Sequence, residues 1–272
     1  MIMTNFLKNR KSVRDFRNKK INTEGLTKIR DILRELEKEE NCKDIKFTLY
    51  ENGENIANRL RGVGGYSGVM IESPYYVALE IANKEDRTII YSSYFMEKLI
   101  TKLNNLGLDT CWVSLKGVGE DVKKTVFDKC TGYIDFILAF GYSKLRNPFI
   151  LEPFSERIGV DELVFKDGIG NYLTVEEMEK RGLMDLFFYI RFAPSTMNLQ
   201  PWRFLLSDDH KIKLLLTYKE GEIPNLIDSG IIMYYFEALA NTQGINSKWE
   251  LIDGIYKDED SNNYRYIAQF AI

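Results

Sequence analysis

Two short stretches carry side chains whose types and spacing suit chemistry. In "NRKSVRDF", Asn9 to Phe16, the residues Arg10, Lys11, Ser12 and Arg14 set three cations and a hydroxyl within five positions. A guanidinium chelates two phosphate oxygens at once and a hydroxyl adds a short donor, so the cluster suits a phosphomonoester; a solvated basic face would use the same residues. In "APSTMNLQPW", Ala193 to Trp202, Pro194 restricts Ala193, while Ser195 and Thr196 offer small donors and acceptors. The amides of Asn198 and Gln200 can address a heterocycle edge or sugar hydroxyls, and a purely structural turn capped by Ser195 or Asn198 is the competing reading.

Composition removes several other chemistries. The chain of 272 residues holds one histidine, His210, in the polar run "SDDHK", which reads as a solvated helix start rather than a catalytic base. A histidine-rich metal site and a histidine-based nucleophile relay are thereby disfavoured. Cys42, Cys111 and Cys130 are widely spaced and odd in number, which suggests neither a disulfide framework nor a CxxC pair. With 37 basic against 40 acidic residues, there is no overall attraction to nucleic acid or to an anionic membrane. No apolar run approaches the length of a membrane helix, and the expectation is a cytoplasmic protein.

The elements that must position these stretches follow from periodicity. Leu26, Ile29, Ile32, Leu33 and Leu36 recur at helical spacing within Gly25 to Glu40, and "IKFTLY", Ile45 to Tyr50, reads as a strand before the turn signal "ENGEN". A helix through Asn58 leads to "RGVGGYSG", Arg61 to Gly68, and then to the strand "YYVALEI", Tyr75 to Ile81. A dinucleotide fingerprint would need its third glycine where Ser67 stands, and would follow a strand rather than precede one, so a mobile loop is the better reading. Thr88 to Gly107 is a helix with a glycine stop, "TCWVSL" a short strand or extended loop, and Tyr133 to Tyr142 a buried strand.

The second half repeats part of this pattern. "GLDTCW" runs from Gly107 to Trp112 and "GINSKW" from Gly244 to Trp249, an offset of 137 residues at both ends (244 − 107 and 249 − 112). An apolar-periodic helix precedes each, the later one spanning Asp228 to Gly244, and a final strand follows each, the later one being "YRYIAQFAI", Tyr264 to Ile272. The helix before Glu40 finds its counterpart in Thr174 to Phe192. Two similar α/β units would bury matching faces and form an internal pseudo-dimer; chance similarity is the alternative.

"RKSVR", "APSTMNLQPW", "NLGLDTCWVSL", the "FGY" ending at Tyr142 and "SERIGVDELV", Ser155 to Val164, together resemble the nitroreductase superfamily of FMN-dependent oxidoreductases. More narrowly they resemble its fused-repeat, thermophile-type members. The resemblance implies an α+β nitroreductase-like fold, with a first unit over 1–165 and a second over 166–272 in one intimate core. Ordinary members carry the basic motif and the PSxxN turn in one subunit of a homodimer. Here the first unit has the basic motif but reads "NCKDIKFTLY" where the turn belongs, and the second has the turn but no RxSxR cluster. The resemblance therefore implies a single complete flavin site per chain.

For that site it implies Arg10, Ser12 and Arg157 on the phosphate, Lys11 on phosphate or ribityl oxygens, and Arg14 at the pyrimidine edge. Pro194, Ser195, Thr196 and Asn198 would meet the ribityl chain and ring edge. Trp112, Val113, Ser114 and Leu115 would lie along the other side with backbone N–H groups near N5 and O4, while Gln200 orients the turn. Cys111 reads as packing. The implied activity is an enzyme's: hydride from NADH or NADPH passes through flavin N5 to a quinone, nitroaromatic or similar small acceptor, in a pocket bordered by Met233 to Glu237. The alternatives are an FMN-binding or redox-sensing protein with little turnover, and a specialised flavin-dependent activity on the same fold. A fused pair implies a monomer.

Overall fold

Asn22 starts a helix by accepting a hydrogen bond from Gly25 N on its side-chain oxygen. The helix, α1 (Thr23–Glu37), buries Ile29, Leu33 and Leu36 at the expected spacing, and a 3-10 turn over Glu40–Cys42 replaces its expected last residues. The computed structural model describes residues 7, 10–144, 155–207, 210–258 and 262–272. The short helix that the family resemblance implies before "RKSVR" lies outside them, apart from Leu7. The chain divides into two compact units, Lys11–Glu152 and Met1–Arg10 with Pro153–Ile272, whereas the sequence suggested a division after residue 165.

In the Lys11–Glu152 unit, β1 (Ile45–Tyr50), α2 (Gly53–Leu60), β2 (Tyr75–Ile81), α3 (Asp86–Asn105), β3 (Asp109–Ser114), α4 (Glu120–Val126) and β4 (Tyr133–Gly141) follow α1. The strands form one antiparallel sheet in the order β1-β2-β4-β3. Every residue of β2 is buried, as an apolar strand interior to a covered sheet requires. Val13, Phe16, Tyr76, Val113 and Phe127 belong to one core cluster, so the basic segment is anchored by its two apolar residues and exposes Lys11 and Arg14. Cys111 is buried in the same cluster, in keeping with a packing role.

The other unit contains β5 (Val164–Lys166), α5 (Val175–Lys180), α6 (Met184–Ile190), β6 (Trp202–Ser207), β7 (Lys211–Lys219), α7 (Leu226–Thr242), β8 (Glu250–Leu251), β9 (Ile255–Lys257) and β10 (Asn262–Ala271). Its sheet runs β5-β6-β7-β10-β8, with β9 also on β10 and only β5 and β6 parallel. Phe236 of α7 is fully buried against the rings of Phe187, Phe204, Trp249 and Phe270. His210 lies in the turn between β6 and β7 with φ +56°, not at a helix start, because β7 begins at the next residue and its apolar alternation through Ile212, Leu214 and Leu216 prefers a strand.

The helix expected over Thr174 to Phe192 is two helices. Thr174 and Glu177 form a reciprocal capping box at its start, but Gly182 takes φ +68° and Leu183 N returns to Met178 O at 2.9 Å, which closes the first helix after barely two turns. Gly182→Ala should destabilise the chain by about 1 kcal/mol, the cost of a Cβ in the left-handed region. Chemical denaturation checks this; an unchanged midpoint would show that the break does not depend on that conformation. The two long helices end alike: Gly107 N bonds Asn104 O and Leu108 N bonds Leu103 O, while Gly244 N bonds Asn241 O and Ile245 N bonds Ala240 O.

Candidate functional site

The segment between α6 and β6 is a strained turn held from several sides. A 3-10 turn spans Thr196–Asn198, and Met197, Asn198 and Gln200 have φ of +51°, +58° and +48°, unfavourable for residues with a Cβ. Gln200 compensates. Its Nε2 donates to Glu156 O and Asn198 O, its Oε1 accepts from Ile158 N at 2.9 Å, and its own N–H donates to Ser195 Oγ. The side chain is thus committed to the turn and to the Glu156–Ile158 backbone. Asn198 Nδ2 donates to Glu156 O at 3.0 Å, which leaves its amide oxygen and its second amide N–H able to meet a ligand. Ser195 Oγ, already an acceptor, keeps its proton for donation.

Thr196 is fastened from below. Its N–H and Oγ1 both donate to Asp228 Oδ1, at 2.8 and 3.1 Å, and Asn225 Nδ2 donates to Thr196 Oγ1 at 2.7 Å. Asn225 caps α7 by accepting from Ile227 N, so the turn is tied to the start of the helix at the centre of this unit. Met197 and Leu199 are 79% and 67% exposed, an apolar edge on an otherwise polar turn.

Cations gather beside it. Arg157 donates from NH1 to Ala193 O at 2.9 Å, and Arg10 Nε donates to Tyr235 OH at 3.2 Å. Burial first, and then the like charges of Arg10 and Arg191, push the Arg157 pKa down. Arg191, at the end of α6, donates from Nε to Phe188 O and lies over the rings of Phe188 and Phe192 at 4.6 and 5.0 Å. Among the described residues, neither Arg157 nor Arg191 forms an ion pair with a carboxylate. Positive charge assembled in this way, with Arg157 and Arg191 fixed by carbonyl bonds and Arg10 held by the Tyr235 hydroxyl, suits an anion with several acceptor oxygens.

The remaining sequence-predicted site residues belong to the Lys11–Glu152 unit. Val13 N donates to Thr110 O, which holds the segment of Lys11, Ser12 and Arg14 along the edge strand β3. Leu115 N donates to Asp135 O at 2.8 Å, so that N–H is engaged within the unit. By the alternation of an antiparallel pair, the N–H groups of Trp112 and Ser114 face the outer edge, where Ser114 O accepts from Gly65 N. The Trp112 indole donates to Glu97 Oε1 at 2.8 Å, and the carboxylate itself is enclosed on α3. The glycine loop closes on itself through Gly62 N to Gly68 O and Val69 N to Tyr66 O.

Three participants had no signal in the pattern of residues. Asp228 reads as an ordinary acidic residue in a helix's first turn, Tyr235 as one more apolar-face aromatic, and Arg191 as a helix-terminal cation. Met233 to Glu237, expected at the border of an acceptor pocket, are all buried.

A family model described as "Putative TM nitroreductase" matches residues 3–240 of the chain. The crystal structure of a "putative nitroreductase" from Thermotoga maritima is 18% identical, with 98% of this chain and 94% of that one covered and a TM-score of 0.60. An FMN-dependent nitroreductase of Clostridium difficile is 20% identical over 52% of this chain and 88% of its own, with a TM-score of 0.44. A Bacteroides fragilis nitroreductase with bound FMN is 16% identical over 58% of this chain and 95% of its own, with a TM-score of 0.46. A comparison with curated protein sequences finds no match. The family match over most of the chain, on an α+β fold aligned nearly end to end with the Thermotoga protein, establishes that this chain belongs to the nitroreductase family.

Proposed function

We propose that the chain is an FMN-dependent oxidoreductase that passes hydride from NADH or NADPH to a quinone, nitroaromatic or similar small acceptor. The observation that carries the reading is the gathering of Arg10, Arg157 and Arg191 beside the Pro194–Asn198 turn. Like charges brought together cost free energy, and a phosphate dianion offsets that cost while accepting their N–H groups. The neighbouring Ser195 hydroxyl and Asn198 amide oxygen supply a donor and an acceptor of the kind a ribityl chain needs. The donor set therefore fits FMN.

In this reading Arg10 and Arg157 hold the phosphate and Arg191 adds to the field around it. Pro194, Ser195, Thr196 and Asn198 line the ribityl chain and ring edge. Lys11, Ser12, Arg14 and the backbone of Trp112, Val113 and Ser114 remain assigned to the flavin by resemblance, as does Leu115, although its N–H donates to Asp135 O, its carbonyl accepts from Val118 N and its side chain lies in the core of its unit. FMN supplies the hydride chemistry when bound, so the chain's own task is placement and electrostatics. The matched ends of α3 and α7 support the further reading that the two units arose by duplication and form an internal pseudo-dimer, sufficient as a monomer.

Among the described residues, no helix is long and apolar enough to cross a membrane. Anaerobic stopped-flow mixing of the FMN-loaded chain with NADH and with NADPH tests the activity. Bleaching of the flavin absorbance, followed by its recovery on adding menadione or a nitroarene, is expected. Bound flavin that neither nicotinamide bleaches would contradict a reductase and leave an FMN-binding protein.

A further inference from the structure

Asp228 is fully enclosed, yet it lies in the first turn of a helix whose other inward residues are mostly apolar. A carboxylate in such a place is costly unless its oxygens are well bonded. Asp228 Oδ1 accepts from Thr196 N and Thr196 Oγ1, and Oδ2 accepts from Asn225 Nδ2 at 3.3 Å. The same Asn225 amide donates to Thr196 Oγ1. These bonds join three residues, and their sense follows from the donors: the Thr196 N–H and the Asn225 amide N–H groups can only donate, so the oxygens they meet accept.

We infer that Asp228 is the positioning residue of the proposed flavin site, acting by fixing Thr196 as an acceptor towards the ligand. The hydroxyl proton of Thr196 is directed at Asp228 and one lone pair is taken by Asn225, which leaves the second lone pair on an exposed residue. A group that only accepts repels a phosphate oxygen and takes a donor, so Thr196 selects a ribityl hydroxyl or the ring N3–H. The phosphate is left to the arginines. Asp228 thus helps to orient the flavin although it touches none of it. The inference rests on the flavin reading, and the following experiment separates the two.

FMN and riboflavin are titrated separately into the purified full-length chain, followed by flavin fluorescence. In Asp228→Asn the carboxamide presents a donor where Asn225 also donates, so binding of both flavins should weaken by a similar factor of about tenfold, equivalent to about 1.4 kcal/mol. Thr196→Ser should bind as the original does and Thr196→Val should not, a comparison that stands even if the Asp228 variant fails to fold. Unchanged binding in Asp228→Asn, a loss confined to FMN, or equal binding by the Thr196 pair would overturn the inference. Failure of the unmodified chain to bind either flavin would overturn the flavin reading itself and this inference with it.

Discussion

Arg157→Ala should weaken FMN binding by about 2 kcal/mol, or roughly thirtyfold, while leaving riboflavin affinity nearly unchanged. The reasoning starts from its surroundings. Burial and the adjacent charges of Arg10 and Arg191 disfavour the Arg157 cation, and no carboxylate among the described residues is paired with it. A group held in such a place gains most when a dianion arrives, and a bidentate guanidinium contact is then lost on truncation. Arg157→Lys, which keeps the charge without the planar fork, should lie between the two. The bond to Ala193 O is lost as well, so thermal unfolding should accompany the titration to separate binding from folding. Equal losses for FMN and riboflavin, or no loss for either, would remove Arg157 from the phosphate.

Phe236→Ala should be the most destabilising of the substitutions considered. Its ring is completely buried, stacks on Phe204 at 5.2 Å and meets Trp249, Phe270 and Phe187 at 5.1, 5.3 and 6.2 Å. Truncating such a ring removes its burial and leaves a cavity that four large neighbours cannot readily fill, a loss of about 4 kcal/mol. For a chain of this size that corresponds to a Tm lower by about 10 °C. The same helix carries Asp228 and Tyr235, so the FMN affinity of the variant should fall before the global transition is reached. A Tm within about 2 °C of the original would mean that the aromatic cluster is not the core of this unit.

Elements with a strong apolar pattern and clear end signals were legible in the sequence. β1 and β2 occupy the expected residues, and α3 and α7 begin and end within two residues of expectation because the glycine stops at Gly107 and Gly244 are local signals. The helix over Thr174 to Phe192 was misread for the opposite reason: its apolar spacing continues across Gly182, but the backbone closes there. β7 was not identified, since a polar run ahead of it suggested a helix start at His210.

In the candidate site, Gln200 was legible as an orienting residue, and the turn was legible as a source of hydrogen-bonding groups. Asp228 was not, because its value lies in which side chain it meets, 32 residues away in sequence, and nothing in its own neighbourhood encodes that meeting. Arg191 was hidden similarly, its role depending on charges brought to it by the fold.

The most direct test of the account is a titration of the cofactor-free chain with FMN, followed by absorbance and by the flavin retained after gel filtration. Saturable binding at a single site per chain, with retained yellow protein, is the expected result. No binding at saturating FMN would contradict it.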